Sequence, residues 1–308
     1  MDLEEKKLYA FSPYLFKNNM VCVNDSKKTG CDFKELNSLL KKGHLNSIDC
    51  EIVSLLKRYE YLTKLSITGA LNSSLSDDLK KSDYRVNIKK LCNYGLVNRF
   101  HLSYTENDVE KRTPSFYRLT ASGRAFVSRL EEGIAVSILK RVYSSAVADG
   151  KPLAILKLLV SNQFAISVGN TYDVVGYSNF DIKVGKSIFC LKYWFRAGNT
   201  DVVLLVARRN SNWKKEIVSQ ISFINEYCQK DSSLIKAPIY LVISEDEFQC
   251  SEFERYRKTC DKVSSLSVLY STDVSLVNGD ILDNLLRVVP SNDYRDCQVV
   301  SLMVKKKE

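Results

Sequence analysis

One glycine does most to restrict how this chain can fold. In the stretch VNIKKLCNYGLVNRF, residues 86–100, the apolar residues Ile88 and Leu91 recur at helical spacing. Past Gly95 the pattern changes to the alternation of a strand over Val97 to Tyr104. Gly95 sits where a helix C-terminal glycine belongs, because the left-handed conformation needed there costs glycine little. The flanking sequence extends this unit in both directions. Ile48, Ile52, Val53, Leu55 and Leu56 fall at helical spacing, with Asn46 or Ser47 available as a cap. Tyr61 to Leu71 predicts a second short helix, built on Leu62, Leu65 and Ala70. Ser73 to Lys81 is polar and loop-like, and Ser82 can cap a third helix, Asp83 to Asn93. Phe116 to Leu119 reads as a second strand, with Thr105 to Ser115 as a polar hairpin tip between the two strands. Thr120 then caps a last helix, Ala121 to Leu130. The order helix-helix-helix-strand-loop-strand-helix over residues 46–132 is that of a winged helix-turn-helix.

With 308 residues, the chain has room for a second domain with its own core. Residues 1–45 form a polar, irregular arm with a short helix at Phe33 to Leu40, and residues 133–150 read as a connecting helix. From residue 151 strands alternate with helices, the expectation being an α/β domain over 151–308. Helices are predicted at Pro152 to Gln163, Trp213 to Tyr227 and Glu252 to Lys262, with a closing one at Ile281 to Val288. Strands are predicted at Ser187 to Phe195, Asp201 to Arg208, Ala237 to Ser244 and Leu266 to Ser271. The Lys305–Glu308 tail reads as solvated.

Apolar residues make up 45% of the chain and charged ones 26%, a globular balance. No run approaches the ~20 apolar residues of a membrane helix, and the charged N-terminus is unlike a secretory signal. A soluble, cytoplasmic protein with no membrane partner is expected. The 9 cysteines include no CxxC pair and only His44 and His101 accompany them, so neither a disulfide framework nor a metal centre is expected. Reduced and mostly buried thiols are expected instead. No cofactor is implied. The net charge is +9, and residues 46–130 carry 14 Lys/Arg against 9 Asp/Glu, whereas 131–308 carry 23 against 21. The excess sits where an electrostatic footprint for nucleic acid would lie.

In a winged helix the third helix enters the major groove and the wing follows the backbone. With Ile88 and Leu91 inward, Arg85, Asn87, Lys89, Lys90 and Asn93 are expected to face outward. Lysines suit phosphates, and arginine and asparagine suit bidentate bonds to guanine or adenine edges. Tyr84 can pack against sugar, while Lys111 and Arg112 at the wing tip add phosphate contacts. A merely solvated polar face is the competing account of the same residues.

Three stretches, YEYLTKLSITGAL, RVNIKKLCNYGLVNRF and FYRLTASGRAFV, resemble the winged-helix half of the replication-relaxation family of plasmids and conjugative elements. The pieces carrying the resemblance are Leu62-Thr63, Leu91 to Val97 and Tyr117 to Gly123, within residues 48–130. The resemblance implies sequence-specific binding of double-stranded DNA in plasmid replication, transfer or transcriptional control. It also implies a second domain similar to restriction-endonuclease folds. Dimerisation, or contact with a relaxase or replication partner, would be that domain's part.

A nuclease of that kind needs an Asp, followed on the next strand by a carboxylate two residues before a lysine. The nearest pattern is Asp173 or Asp181, then Cys190 and Lys192. A thiol stands where hard Mg2+ requires oxygen, so a degenerate, inactive site is expected. Glu245, Asp246 and Glu247 follow a strand and read as a loop start or helix cap. Tyr193, Trp194, Phe195 and Trp213 read as core rather than base-stacking residues. A Mg-dependent endonuclease with its own targeting domain, and a protein-interaction adaptor, are the two other functions weighed.

Overall fold

The computed structural model describes residues 12–74, 84–130, 151–231, 234–279, 281–289 and 297–307. They form a mixed α+β protein with ten helices and two sheets among those residues. The chain divides into two compact units, Asn19–Ile155, and Leu156 onward joined by the N-terminal segment up to Asn18. The expected connecting helix at 133–150 and the Ser82 cap lie outside the described residues.

The Asn19–Ile155 unit contains α1 (Phe33–Lys41), α2 (Ser47–Tyr59), α3 (Lys64–Ser74), α4 (Tyr84–Asn93) and α5 (Ala121–Leu130). Its strands are β1 (Val21–Asn24), β2 (Leu62–Thr63), β3 (Val97–Glu106), β4 (Val109–Arg112) and β5 (Phe116–Leu119), in the order β1-β3-β5-β2 with β4 paired to the far part of β3. Each helix start follows from its sequence. Asn46 caps α2 in a capping box: its side chain accepts from Asp49 N, and the Asp49 carboxylate accepts from Asn46 N. Thr63 accepts from Ser66 N at the head of α3, and Thr120 accepts from Gly123 N at the head of α5. The core lies between these helices and the sheet, with Ile52, Leu62, Ile67, Leu91, Phe116 and Phe126 fully enclosed.

Two glycines are fixed by geometry. Gly95 has φ +71°, and a Cβ there would collide with the Gly30 carbonyl. Gly123 lets α5 cross so close to the Leu96 carbonyl that a Cβ would overlap it. Gly95→Ala is therefore expected to destabilise this unit by about 1–3 kcal/mol through backbone strain, read as a lowered urea midpoint. A change below ~0.5 kcal/mol would contradict the close approach.

Three expectations need correction here. The arm is not irregular from 19 onward: β1 is an edge strand pairing Val21 with Ser103 through Asn24 with Phe100. Leu62-Thr63 is a short strand against β5, so the second helix begins only at Lys64. The hairpin tip shrinks to Asn107-Asp108 (φ 52° and 61°), because Val109–Arg112 continues the ladder as β4. Two consecutive residues with positive φ form the tight turn whose twist suits a hairpin.

The other unit is built on a seven-stranded sheet whose strands lie in sequence order from β6 to β12. These are β6 (Val175–Val184), β7 (Ser187–Ala197), β8 (Thr200–Val206), β9 (Ile239–Ser244), β10 (Val268–Thr272), β11 (Leu285–Val288) and β12 (Cys297–Val300). β8, β9 and β10 are parallel and the other neighbours antiparallel. Crossovers run through α7 (Trp213–Lys230) and through α8 (Glu247–Lys258) with α9 (Asp261–Ser264). α6 (Pro152–Thr171) precedes the sheet and α10 (Asp273–Asn278) follows β10. Ile217, Ile221 and Ile224 pack α7 onto the sheet as their spacing predicts. Tyr193, Trp194, Phe195 and Trp213 are core residues.

α6 runs eight residues past the predicted Gln163, and it alone among the described helices is long and apolar enough to cross a membrane; 61% of its apolar 18-residue stretch is buried in the protein. The predicted closing helix at Ile281 to Val288 is instead strand β11, paired with β12. A short apolar run carries no periodicity that tells helix from strand. β6 escaped prediction because it is mostly exposed and its apolar residues, Val175 and Tyr177 and then Phe180, Ile182 and Val184, break step at Asn179. The tail lysines 305–307 are exposed as expected, and the tail is also tied down: Lys306 bonds Asp283 at 2.7 Å, and Lys307 N donates to Thr171 O. Of the nine thiols only Cys250 is fully buried, the others being partly exposed. The residues before Asn19 close a polar cluster at the carboxyl ends of β8, β9 and β10. Ser12 donates its hydroxyl proton to Asp273, and Phe16 N donates to Glu245.

Candidate nucleic-acid interface

α4 divides its predicted contact residues between two faces. Ile88 and Leu91 are buried as expected. Lys89 and Asn93, four residues apart, are exposed on the opposite side. Tyr84 and Arg85 open the helix, but their side chains lie outside the described residues.

Asn87 is not outward. It is only 9% exposed, and its amide donates to Asp49 Oδ1 at 2.9 Å and Asn46 Oδ1 at 3.2 Å. Lys90 also turns inward, with Nζ 2.5 Å from Asp49 Oδ2. The cause is helix geometry. Asn87 lies one turn before the buried Leu91 and one turn before Lys90, so both polar residues border the packed stripe. The fully buried carboxylate of Asp49 collects them while completing the α2 capping box. Their role is to seat α4 on α2.

On the hairpin, Lys111 pairs with Glu106 and Arg112 with Glu110. Glu106 pushes the Lys111 ammonium above its ordinary range, through its hydrogen bond and its charge. These exposed pairs contribute little to stability. They do neutralise the hairpin, so its cations reach a polyanion only by exchanging partners.

The larger concentration of charge lies beside α4. A groove of about 600 Å³ is rimmed by Lys27, Lys28, Lys64, Lys89 and Arg99, with Asn93 among its lining residues. Ile88, Cys92 and Tyr117 add its apolar lining. Lys28 pairs with Glu35. Among the described residues no salt bridge joins Lys27, Lys64, Lys89 or Arg99 to a carboxylate. Burial pushes the Cys92 thiol up to about 11, despite the opposing field of Arg99, so it is protonated and unreactive near neutral pH.

Sequence reasoning reached Lys89 and Asn93 but missed Lys27, Lys64 and Arg99. The available signal was the Lys27-Lys28 pair in the break before Gly30. Nothing in the sequence joins residues 27, 64 and 99; the pairing of β1 with β3, and of β2 with β5 beside β3, does.

In the other unit, Asp181 stands opposite Cys190 across β6 and β7. Lys192 Nζ is 3.8 Å from Cys190 Sγ and 3.5 Å from Asn179 Oδ1. Burial raises the Cys190 thiol, partly offset by Lys192. Asp173 lies before β6, its backbone N–H bonded to Lys305 O. Asp246 caps α8 by accepting from Gln249 N, and Glu245 is buried against Arg209 and Phe16 N. No group of three or more His, Cys, Asp or Glu is arranged to hold a metal among the described residues.

The protein is thus a two-unit α+β protein whose first unit carries a groove lined by lysines and an arginine. Comparison of the chain with protein-family models and with curated proteins finds no match.

Proposed function

We propose that this protein binds double-stranded DNA in a sequence-specific manner through the Asn19–Ile155 unit, read as a winged helix-turn-helix with α4 in the major groove. The resemblance to the replication-relaxation family places the activity in plasmid replication or transfer, or in its transcriptional control. The observation carrying this reading is the convergence of Lys27, Lys64, Lys89 and Arg99, which form no salt bridge among the described residues, on the exposed side of α4. Lys89 and Asn93 are the central contacts, Tyr84 and Arg85 extend them toward the start of α4, and Lys111 and Arg112 follow the backbone. Asn87 and Lys90 leave the contact set.

Replacing Lys89 with alanine is expected to reduce the slope of log affinity against log salt by about 1. Lys90→Ala should leave that slope unchanged and lower the unfolding midpoint instead. Equal behaviour of the two variants in filter-binding or anisotropy titrations would remove α4 from the interface. Salt-insensitive binding of the intact chain would favour a protein-interaction adaptor.

The second unit is read as a degenerate restriction-endonuclease-like domain serving dimerisation or partner contact. Its succession of α6, the antiparallel β6-β7-β8, α7 and the parallel β9 supports that reading. With Cys190 in a ligand position no Mg2+-dependent cutting is expected. Plasmid nicking abolished by Asp181→Ala or Asp173→Ala would make the protein a nuclease instead.

A further inference from the structure

We propose that the groove beside α4 seats the sugar-phosphate backbone of one DNA strand, with Lys27, Lys64 and Arg99 as its phosphate contacts. The inference rests on the duplex-binding reading and adds a second grip, made by a loop and two further elements, to the contacts of α4 itself.

Four observations carry it. First, Lys27, Lys64 and Arg99 meet Lys89 around one groove, and none of the four forms an ion pair among the described residues; the one carboxylate lining the groove, Asp25, is bonded to His101. Like charges held together in this way favour a polyanion, whose arrival also releases condensed counterions. Second, the loop carrying Lys27 is built rather than loose. Asp25 N donates to Arg99 O at 2.9 Å, and Arg99 N donates to Ser26 Oγ at 2.7 Å. The Asp25 carboxylate bonds His101 Nδ1 at 2.7 Å, and Cys31 N donates to Ser122 Oγ. A site already held in shape loses less entropy on binding.

Third, Lys89 and Asn93 line both the groove and the exposed face of α4. A strand lying against that face therefore continues into the groove. Fourth, the chemistry suits backbone rather than base edges. Two of the three added cations are lysines, which act as point charges. Arg99 has its Nε committed to Ser115 at 3.0 Å, leaving its terminal nitrogens for a phosphate. The half-buried Tyr117 offers apolar surface to deoxyribose. These contacts position the duplex and carry no sequence preference of their own.

The test compares the intact chain with the Lys27→Ala/Lys64→Ala/Arg99→Ala variant on several unrelated 30-bp duplexes across 50–200 mM salt. Three lost phosphate contacts should flatten the log–log salt slope by about 2.7, so that the wild-type advantage shrinks about fortyfold over that range. The loss should be the same for every duplex. The charge-preserving variant Lys27→Arg/Lys64→Arg/Arg99→Lys should restore the slope, which separates lost contacts from misfolding. A wild-type slope in the alanine variant would overturn the groove assignment while leaving duplex binding by α4 standing. A loss confined to one duplex sequence would overturn it in favour of base reading. Micromolar competition by adenosine monophosphate, abolished by the alanine variant, would place a small anion there instead. Failure of the wild type to bind any duplex at 50 mM salt would sink the duplex reading and this inference together.

Discussion

Arg208→Ala is expected to destabilise the C-terminal unit by about 3–5 kcal/mol, the usual result of removing one partner from a buried ion pair. Arg208 emerges just past β8, and its guanidinium and the Asp273 carboxylate are both wholly buried. Nη2 donates to Asp273 Oδ1 at 2.7 Å and Nη1 to Ala207 O at 2.6 Å. Without the guanidinium, the Asp273 carboxylate keeps the Ser12 hydroxyl as its one hydrogen-bond partner among the described residues, against the cost of burying its charge. Replacing both partners with apolar residues, as in Arg208→Met/Asp273→Leu, should recover most of the loss, since no charge is then stranded. Urea unfolding of the wild type and these two variants checks this. A single-variant loss under ~1 kcal/mol would mean that water reaches the site.

The same variant carries a pH signature. Burial already holds the Asp273 carboxyl above its ordinary range, against the opposing field of Arg208. Deleting the arginine raises it further, so its folded-state value lies above its unfolded one. Protonation then favours the folded state below the unfolded carboxylate range, and that benefit is lost as pH rises through the folded-state value. The deficit of Arg208→Ala relative to wild type should therefore be smaller near pH 4 than near pH 8. A gap that widens on acidification would contradict the assignment.

Asp49→Ala is expected to cost the first unit about 3–5 kcal/mol and to weaken DNA binding in protein that is still folded. The substitution removes the Asp49 half of the α2 capping box and leaves Asn46 N without its acceptor, while the bond from residue 49 N to Asn46 remains. It also leaves the Lys90 ammonium and one Asn87 donor without the acceptor that seats α4. Asp49→Asn should retain part of the cap and cost less. Unfolding midpoints and duplex titrations below the transition measure both effects. Loss of stability with unchanged duplex affinity would show that the seating of α4 does not govern the interface.

Much of the first unit was legible because its signals are local. Asn46, Thr63 and Thr120 sit at helix starts as side-chain acceptors for nearby backbone N–H groups, a bond completed within three residues. Gly95 marks its own conformation. The Phe116–Leu119 strand and the helix Ala121–Leu130 were read to the residue. Where two residues fall on the border of a helical stripe, however, the sequence cannot say which has a partner. Asn87 and Lys90 look as polar as Lys89 and Asn93, and only Asp49, some 38 residues earlier, turns the first pair inward. The edge strand β6 and the strand β11 were missed for a related reason. Exposed edge residues and paired leucines acquire strand identity from the neighbour that completes their hydrogen bonds.

The sequence by itself determined the Asn46 and Thr120 caps, the glycine stop, the basic bias of residues 46–130 and the alternation that predicts the second unit. Tertiary structure alone decided which cations share a surface. Lys27 comes from the arm, Lys64 from the head of α3 and Arg99 from β3, and they meet because β1 pairs with β3, β2 pairs with β5 beside β3, and α4 packs on α2. Caps and periodicities are satisfied within a few residues and can be read in one dimension. An electrostatic site sums charges across space, and that sum exists only once the chain has folded.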